Sequence, residues 1–157
     1  MAEPPYLLPR AAVRFGFLGL APLLISGLVS LSQHHDTARI GALSFTIYAA
    51  ALLSFLGGVR CGVELRRAPG APDPWRLGFS AAPALAAWVL ALYVVVAPGG
   101  LGAASAFAGL FAAQYVWDQR CAGAGAPDWY PLLRQVLTGG AMIACLLIPL
   151  ATVLRRF

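Results

Sequence analysis

The sequence predicts an all-α integral membrane protein, a compact bundle of five transmembrane helices forming one domain over residues 1–157. Three observations carry that prediction. Of the 157 residues, 60% are hydrophobic and only 11% charged, and the mean hydropathy is +0.76; a soluble domain carries about a quarter charged residues. So little polar surface cannot cover a water-soluble particle, and lipid must be the solvent for much of the chain. The apolar residues gather into five runs, each long enough to cross roughly 30 Å of hydrocarbon at about 1.5 Å per residue. The net charge is +5 and all eleven basic residues are arginine. They fringe the apolar runs instead of clustering among polar residues, which marks membrane topology and excludes a nucleic-acid footprint.

The first run covers 14–31 and contains Pro22, a residue that membrane helices tolerate. Arg10 and Arg14 precede it, but Ser30-Leu31-Ser32 is a poor cleavage site and the run exceeds a typical signal core. It is therefore expected to be a retained span. The second run covers 39–62, with Asp36-Thr37 as its candidate cap. Asp73-Pro74 announces the third, over 77–97, by placing an N-cap acid before a proline at the first helical position. Ala97-Pro98-Gly99-Gly100 then leaves room only for a tight turn, so the fourth run, 101–117, forms an antiparallel hairpin with the third. The fifth covers 132–154, with Asp128 as its candidate cap; Pro83 and Pro149 lie inside the third and fifth. The longest connections, 66–75 and 120–130, are short and rich in Pro, Gly and Ala.

Arginine asymmetry orients the bundle. Arg10, Arg14, Arg60, Arg66, Arg67, Arg76, Arg120 and Arg134 fall on one side, and Arg39, Arg155 and Arg156 on the other. The positive-inside rule then places the N-terminus in the cytoplasm and the C-terminus in the periplasm. The all-arginine basic set, with abundant Ala, Gly and Pro, fits a GC-rich bacterial genome.

Lipid removes the hydrophobic drive between helices, so small residues that let backbones approach decide packing. Ser54, Gly58 and Gly62, with Gly57 beside them, form such a stripe on helix two. Helix four offers Gly100, Ala104, Ala108 and Ala112 on one ridge and Ser105, Gly109 and Ala113 on another, which predicts a place in the middle of the bundle. Gly139, Gly140 and Ala144 give helix five a similar patch.

Ionisable groups in a span are costly and are functional candidates by default. Arg60 and Glu64, one turn apart near the cytoplasmic end of helix two, can pair as i and i+4. Gln114 and Asp118 share a face of helix four at the same membrane level, and Arg134 begins helix five there. These five predict a polar cluster, which reads either as a set of snorkelling caps and salt bridges or as a proton, anion or lipid head-group site. His34-His35-Asp36 reads as an exposed loop, since adjacent histidines point apart and no further ligand stands nearby. Cys61, Cys121 and Cys145 are scattered and odd in number, and read as packing residues. Tyr6, Trp75, Tyr115, Trp117, Trp129 and Tyr130 fall near the inner boundary as an aromatic belt would, while Trp88 and Tyr93 lie deeper, facing a cavity or lipid.

Several segments carry a resemblance: Gly16-Phe17-Leu18-Gly19-Leu20-Ala21-Pro22, Ser54-Phe55-Leu56-Gly57-Gly58-Val59-Arg60-Cys61-Gly62, Pro83 to Trp88, Gln114 to Asp118, and Trp129-Tyr130 with Arg134. Over nearly the whole chain they resemble the bacterial family of unknown function similar to mitochondrial transmembrane protein sixty-nine, in which a tryptophan is usual at the position of Cys61. The resemblance implies five spans in an energy-coupling membrane, here the bacterial inner membrane, and directs attention to Gly57-Gly58 and Arg60. It implies no reaction or cofactor.

No nucleophile stands with a partner base, and no glycine loop is built to cradle phosphate. The expected function is therefore non-enzymatic contact with membrane lipid and with other membrane helices or further copies of the chain. That describes an accessory subunit or assembly factor of a larger respiratory or other energy-transducing complex. The alternative is a small oligomeric transporter or channel with its polar site near Arg60 and Asp118.

Overall fold

In lipid every backbone polar group must be satisfied inside its own segment, and an apolar run long enough to span folds as a helix for that reason. The structure is a computed structural model and describes residues 9–96, 100–121 and 127–154. Among these it contains α1 (Arg10–Val29), α2 (His35–Arg67), α3 (Pro74–Val96), α4 (Gly100–Cys121) and α5 (Tyr130–Leu154), and no strand. By length and composition α1, α2, α3 and α5 are able to cross a membrane. α4 is within three residues of α3 and α5 in length, but Gly, Ala and Ser replace bulk along it and its last turns carry Gln114, Asp118, Gln119 and Arg120. Large apolar side chains such as Leu18, Phe55, Leu85, Trp88, Val96 and Leu146 project from the bundle surface. Such a continuous apolar exterior belongs to a particle solvated by lipid. The chain is a membrane protein.

The helix ends follow their local chemistry, with two corrections. Asp73 caps α3 as its sequence predicts: the Trp75 N–H donates to Asp73 Oδ1 (2.9 Å), with Pro74 at the first helical position. Asp36 does not cap α2. The helix starts one residue before it, and Asp36 lies exposed in the first turn, where its charge meets the positive helix end. Asp128 lies in the turn before α5, and there the Tyr130 N–H donates to the Pro127 carbonyl (2.9 Å) instead. α2 also outruns its predicted span at both ends. Its 33 residues extend roughly 50 Å at about 1.5 Å per residue. The proposed tight turn at 97–99 lies outside the described residues, as do Tyr6, Arg155 and Arg156.

Each helix packs on the next in chain order and α5 returns to α1, so the five close into a ring. α2 also meets α4 across it. The central position expected of α4 is thus shared with α2, each having three neighbours. The core runs along matching inward stripes: Phe45, Ala49 and Leu53 of α2, Phe107 and Phe111 of α4, and Ala141, Cys145 and Ile148 of α5. Phe45 and Phe107 meet edge to face, with ring centroids 6.3 Å apart. α1 docks through Leu20 and Leu23, and the Tyr48 hydroxyl of α2 donates to the Gly19 carbonyl of α1 (2.6 Å).

Backbones approach closely where α2 turns back on α1. A Cβ on Gly41 would strike the backbone at Val29 and Ser30. Gly41→Ala is therefore expected to pry α2 from α1 and lower the thermal unfolding midpoint in detergent, with a cost of about 1–3 kcal/mol as for other overpacked sites. A midpoint equal to that of the wild type would show that the two backbones yield freely.

The small-residue stripe on α2 needs correcting. Gly57 packs inward, where a Cβ would fall on the Ser80 carbonyl oxygen of α3. Ser54, Gly58 and Gly62 face outward, and nothing lies within 4 Å of a Cβ on either glycine. On α4, Ala104 is buried and Ala108 and Ala112 half-buried, while Gly109 faces outward in open space. Over residues 40–59 α2 is apolar all round, so composition there does not reveal its rotation; one residue's turn of the helix separates the packed Gly57 from the free Gly58.

Candidate functional site

The inward stripes of α2, α4 and α5 turn from apolar to polar at the same end of the bundle. On α2, Leu53 and Gly57 give way to Arg60 and Glu64; on α4, Phe107 and Phe111 give way to Gln114 and Asp118; on α5, Ala141 and Thr138 give way to Arg134. Because the stripes continue the core faces, these side chains point at one another and not at water. Arg60, Asp118 and Arg134 are 8%, 2% and 5% exposed, and Glu64 and Gln114 are buried beside them.

Asp118 holds the centre. Arg134 Nε donates to its Oδ2 at 2.7 Å, a short charge-assisted bond. Arg60 Nε lies 3.3 Å from Oδ1, an ion pair without the alignment of a hydrogen bond. Gln114 Nε2 donates to the same oxygen at 3.5 Å. Two guanidiniums thus share one carboxylate. Among the described residues Arg60 Nε, Arg60 Nη1 and Arg134 Nη2 are buried without any hydrogen-bond acceptor, and each such orphaned donor costs about 1–3 kcal/mol.

Glu64 belongs to a second, outer group, and the Arg60–Glu64 pair that their spacing allows does not form. Its Oε2 faces Arg67 Nε (3.4 Å) and Arg76 Nη1 (3.8 Å), and its Oε1 accepts from the Asp73 backbone N–H (3.4 Å). Arg76 Nε also meets Asp73 Oδ2 at 3.6 Å. These ion pairs pin the α2–α3 connection over the end of the bundle. Arg67 and Arg76 remain over a third exposed, so water screens this layer as it does not screen the inner one. The i,i+4 rule misleads here because Arg60 reaches across the bundle to Asp118, which a single helix cannot reveal.

Sequence reasoning did not assign Arg67, Asp73, Arg76 or Tyr130 to this site. Asp73 was visible as a cap, and Arg76, three residues on, faces it across the first turn of α3. Tyr130, at the start of α5, stands near enough to feel the charges of Asp118, Arg134 and Arg60. Its ring meets Trp129 edge to face at 6.3 Å, and Trp117 stacks on Phe79 at 5.1 Å. Trp75, Trp88 and Tyr93 project outward. Cys145 lies in the core and Cys61 is half-buried.

His34 and His35 sit at the far end of α2, exposed, with His35 Nδ1 3.7 Å from Asp36 Oδ1. Roughly 44 Å of helix, at about 1.5 Å per residue, separates His35 from Glu64, so the histidines do not join the carboxylates. Among the described residues no three His, Cys, Asp or Glu side chains come together as a metal site would require.

Residues 8–151 match the family described as protein of unknown function (DUF3429). The chain belongs to this family. The match takes in every member of the buried cluster and nearly all of the bundle. The DUF3429 chain is also similar to Transmembrane protein 69 of Xenopus tropicalis, with 30% identity over 138 residues. That alignment covers 83% of this chain and 50% of the relative, so the chain spans about half the length of this curated relative. No solved structure matches it.

Proposed function

We propose that this DUF3429 chain is a five-span protein of the bacterial inner membrane that acts by helix–helix contact, without catalysis. Its role is that of an accessory subunit or assembly factor of a larger energy-transducing membrane complex. The observation that carries this reading is the outward face of α2, where Ser54, Gly58 and Gly62 form a smooth stripe that no part of the described bundle covers. In lipid such a face gains its packing only from another helix, because backbones approach closely where side chains are small. α4 presents a second smooth face through Gly102, Ala106, Gly109 and Ala113.

α4 is read as the fifth span. Its 22 residues reach roughly 33 Å at about 1.5 Å per residue, and the neighbouring helices bury its Gln114 and Asp118. The arginine asymmetry supports an N-terminus in the cytoplasm and a C-terminus in the periplasm.

Tagged wild-type protein, purified from native membranes in mild detergent, is expected to bring down a membrane complex at fixed stoichiometry. Gly58→Leu, which adds bulk in open space, is expected to fold normally and lose those companions. Recovery of the wild type alone, or only with copies of itself, would sink this reading and favour the small oligomeric transporter.

A further inference from the structure

A buried cation needs an anion, and the inner cluster is one anion short. Arg60 and Arg134 bring two positive charges to the single carboxylate of Asp118. Both side chains are more than nine-tenths buried, and three of their nitrogens make no hydrogen bond within the described protein; of these, Arg60 Nε has its ion pair with Asp118, while Arg60 Nη1 and Arg134 Nη2 have no partner there. Glu64 does not complete the balance, since its oxygens are engaged by Arg67, Arg76 and the Asp73 N–H. Gln114 spends its amide N–H on Asp118, adding no charge.

One member of the cluster, Arg134, also borders a crevice. This crevice, of about 100 Å³, runs between α1, α2 and α5. The rest of its lining is almost wholly apolar: Gly16 and Gly19 floor it on α1, with Leu52 and Leu56 on α2 and Leu137 on α5 as walls. Phe15 and Phe55 also line it and are 73% and 66% exposed, so it opens sideways, towards the lipid that surrounds the helices. The larger crevice of about 520 Å³ differs in kind. It lies at the other end of the bundle, and its charged lining residue Arg39 and its His35 are exposed and need no buried partner.

An apolar slot that opens to hydrocarbon and ends at an under-neutralised arginine selects one ligand chemistry: an anion carrying an apolar chain. We propose that the Arg60–Asp118–Arg134 cluster holds the head group of an acidic membrane lipid, whose chain lies in the crevice between α1, α2 and α5. The anionic oxygens accept from the guanidinium nitrogens that Asp118 leaves free, and arginine's planar fork suits phosphate or carboxylate oxygens better than a lysine's point charge would. The site does not depend on a partner complex, so it stands or falls separately from the accessory role.

The test is thermal unfolding of the full chain in nanodiscs of phosphatidylcholine alone, and with increasing phosphatidylglycerol. The wild type is expected to show a saturable rise in its midpoint with phosphatidylglycerol and none with added inorganic phosphate. Gly19→Leu fills the crevice from a position with open space around its Cβ. It is expected to fold in phosphatidylcholine and to lose the rise. Arg134→Lys, which keeps the charge but loses the fork, is expected to reduce it. Four outcomes would overturn the proposal: no rise for the wild type, an equal rise for wild type and Gly19→Leu, an undiminished rise for Arg134→Lys, or the full rise with inorganic phosphate. The last would mean that the cluster takes a small anion and the crevice holds no chain.

Discussion

Asp118→Ala is expected to destabilise the bundle by about 3–5 kcal/mol, because it strands two buried guanidiniums that share this carboxylate. The size of the loss comes from what remains and not from the contact removed: an uncompensated cation in a low-dielectric interior is worse than no cation at all. Asp118→Asn should fail almost as badly. It preserves shape and an acceptor for Gln114, but leaves both arginines without a counter-charge. The same reasoning predicts a rescue. Arg60→Met and Arg134→Met, combined with Asp118→Leu, remove every charge from the inner layer while keeping its volume, and should recover most of the stability. Unfolding midpoints in one detergent, read as a cycle of single, double and triple variants, measure this directly. A single Asp118→Ala variant within about 0.5 kcal/mol of the wild type would mean that water reaches the arginines and that the cluster is an ordinary interfacial one.

The second large effect separates two adjacent glycines. Gly57→Leu places a branched side chain where even a Cβ falls on the Ser80 carbonyl oxygen, so α2 and α3 must part. The clash is with backbone, which cannot rotate away as a side-chain end can, and the expected cost is at or above the usual 1–3 kcal/mol of overpacking. Gly58→Leu meets nothing within 4 Å of its Cβ, and its intrinsic helix propensity improves by almost 1 kcal/mol. It should leave the isolated bundle as stable as before. Thermal unfolding of the two variants side by side decides the rotation of α2. Equal losses, or a loss at Gly58 alone, would show that the helix faces its neighbours differently.

What could be read from the sequence was what local chemistry determines. Apolar runs and arginine fringes mark the helices because lipid leaves the backbone no other choice, and Asp73-Pro74 marks the start of α3 because a cap is a contact between near neighbours. The members of the polar cluster stood out for the same reason: a charged residue inside an apolar run needs a partner wherever it lies. Which partner is a different question. Arg60 had Glu64 one turn away and took Asp118 from another helix, while Glu64 turned to Arg67 and Arg76. That choice depends on how α2 and α4 are rotated, and the apolar runs that make up most of both helices carry no record of their rotation. The misplaced glycine stripe has the same origin, since a turn of about 100° per residue is all that separates Gly57 from Gly58. The unexpected reach of α2 beyond 39–62 came from polar residues at both ends that continue the helix past the apolar run.

The closed ring has a consequence in time. Its central charge pairs join helices made far apart: Arg60 is synthesised well before Asp118, and Arg134 later still. At about 5–20 residues per second, the ribosome leaves Arg60 without its counter-charge for roughly 3–12 s. During that interval its long side chain, close to one end of α2, can keep its guanidinium in contact with water at the membrane boundary. The inner layer therefore closes only once α4 has been inserted and α5 has folded back beside α1. Until then a nascent chain halted after α3 carries Arg60 hydrated and its first three helices as an open arc, the form in which a cellular quality-control protease would meet it.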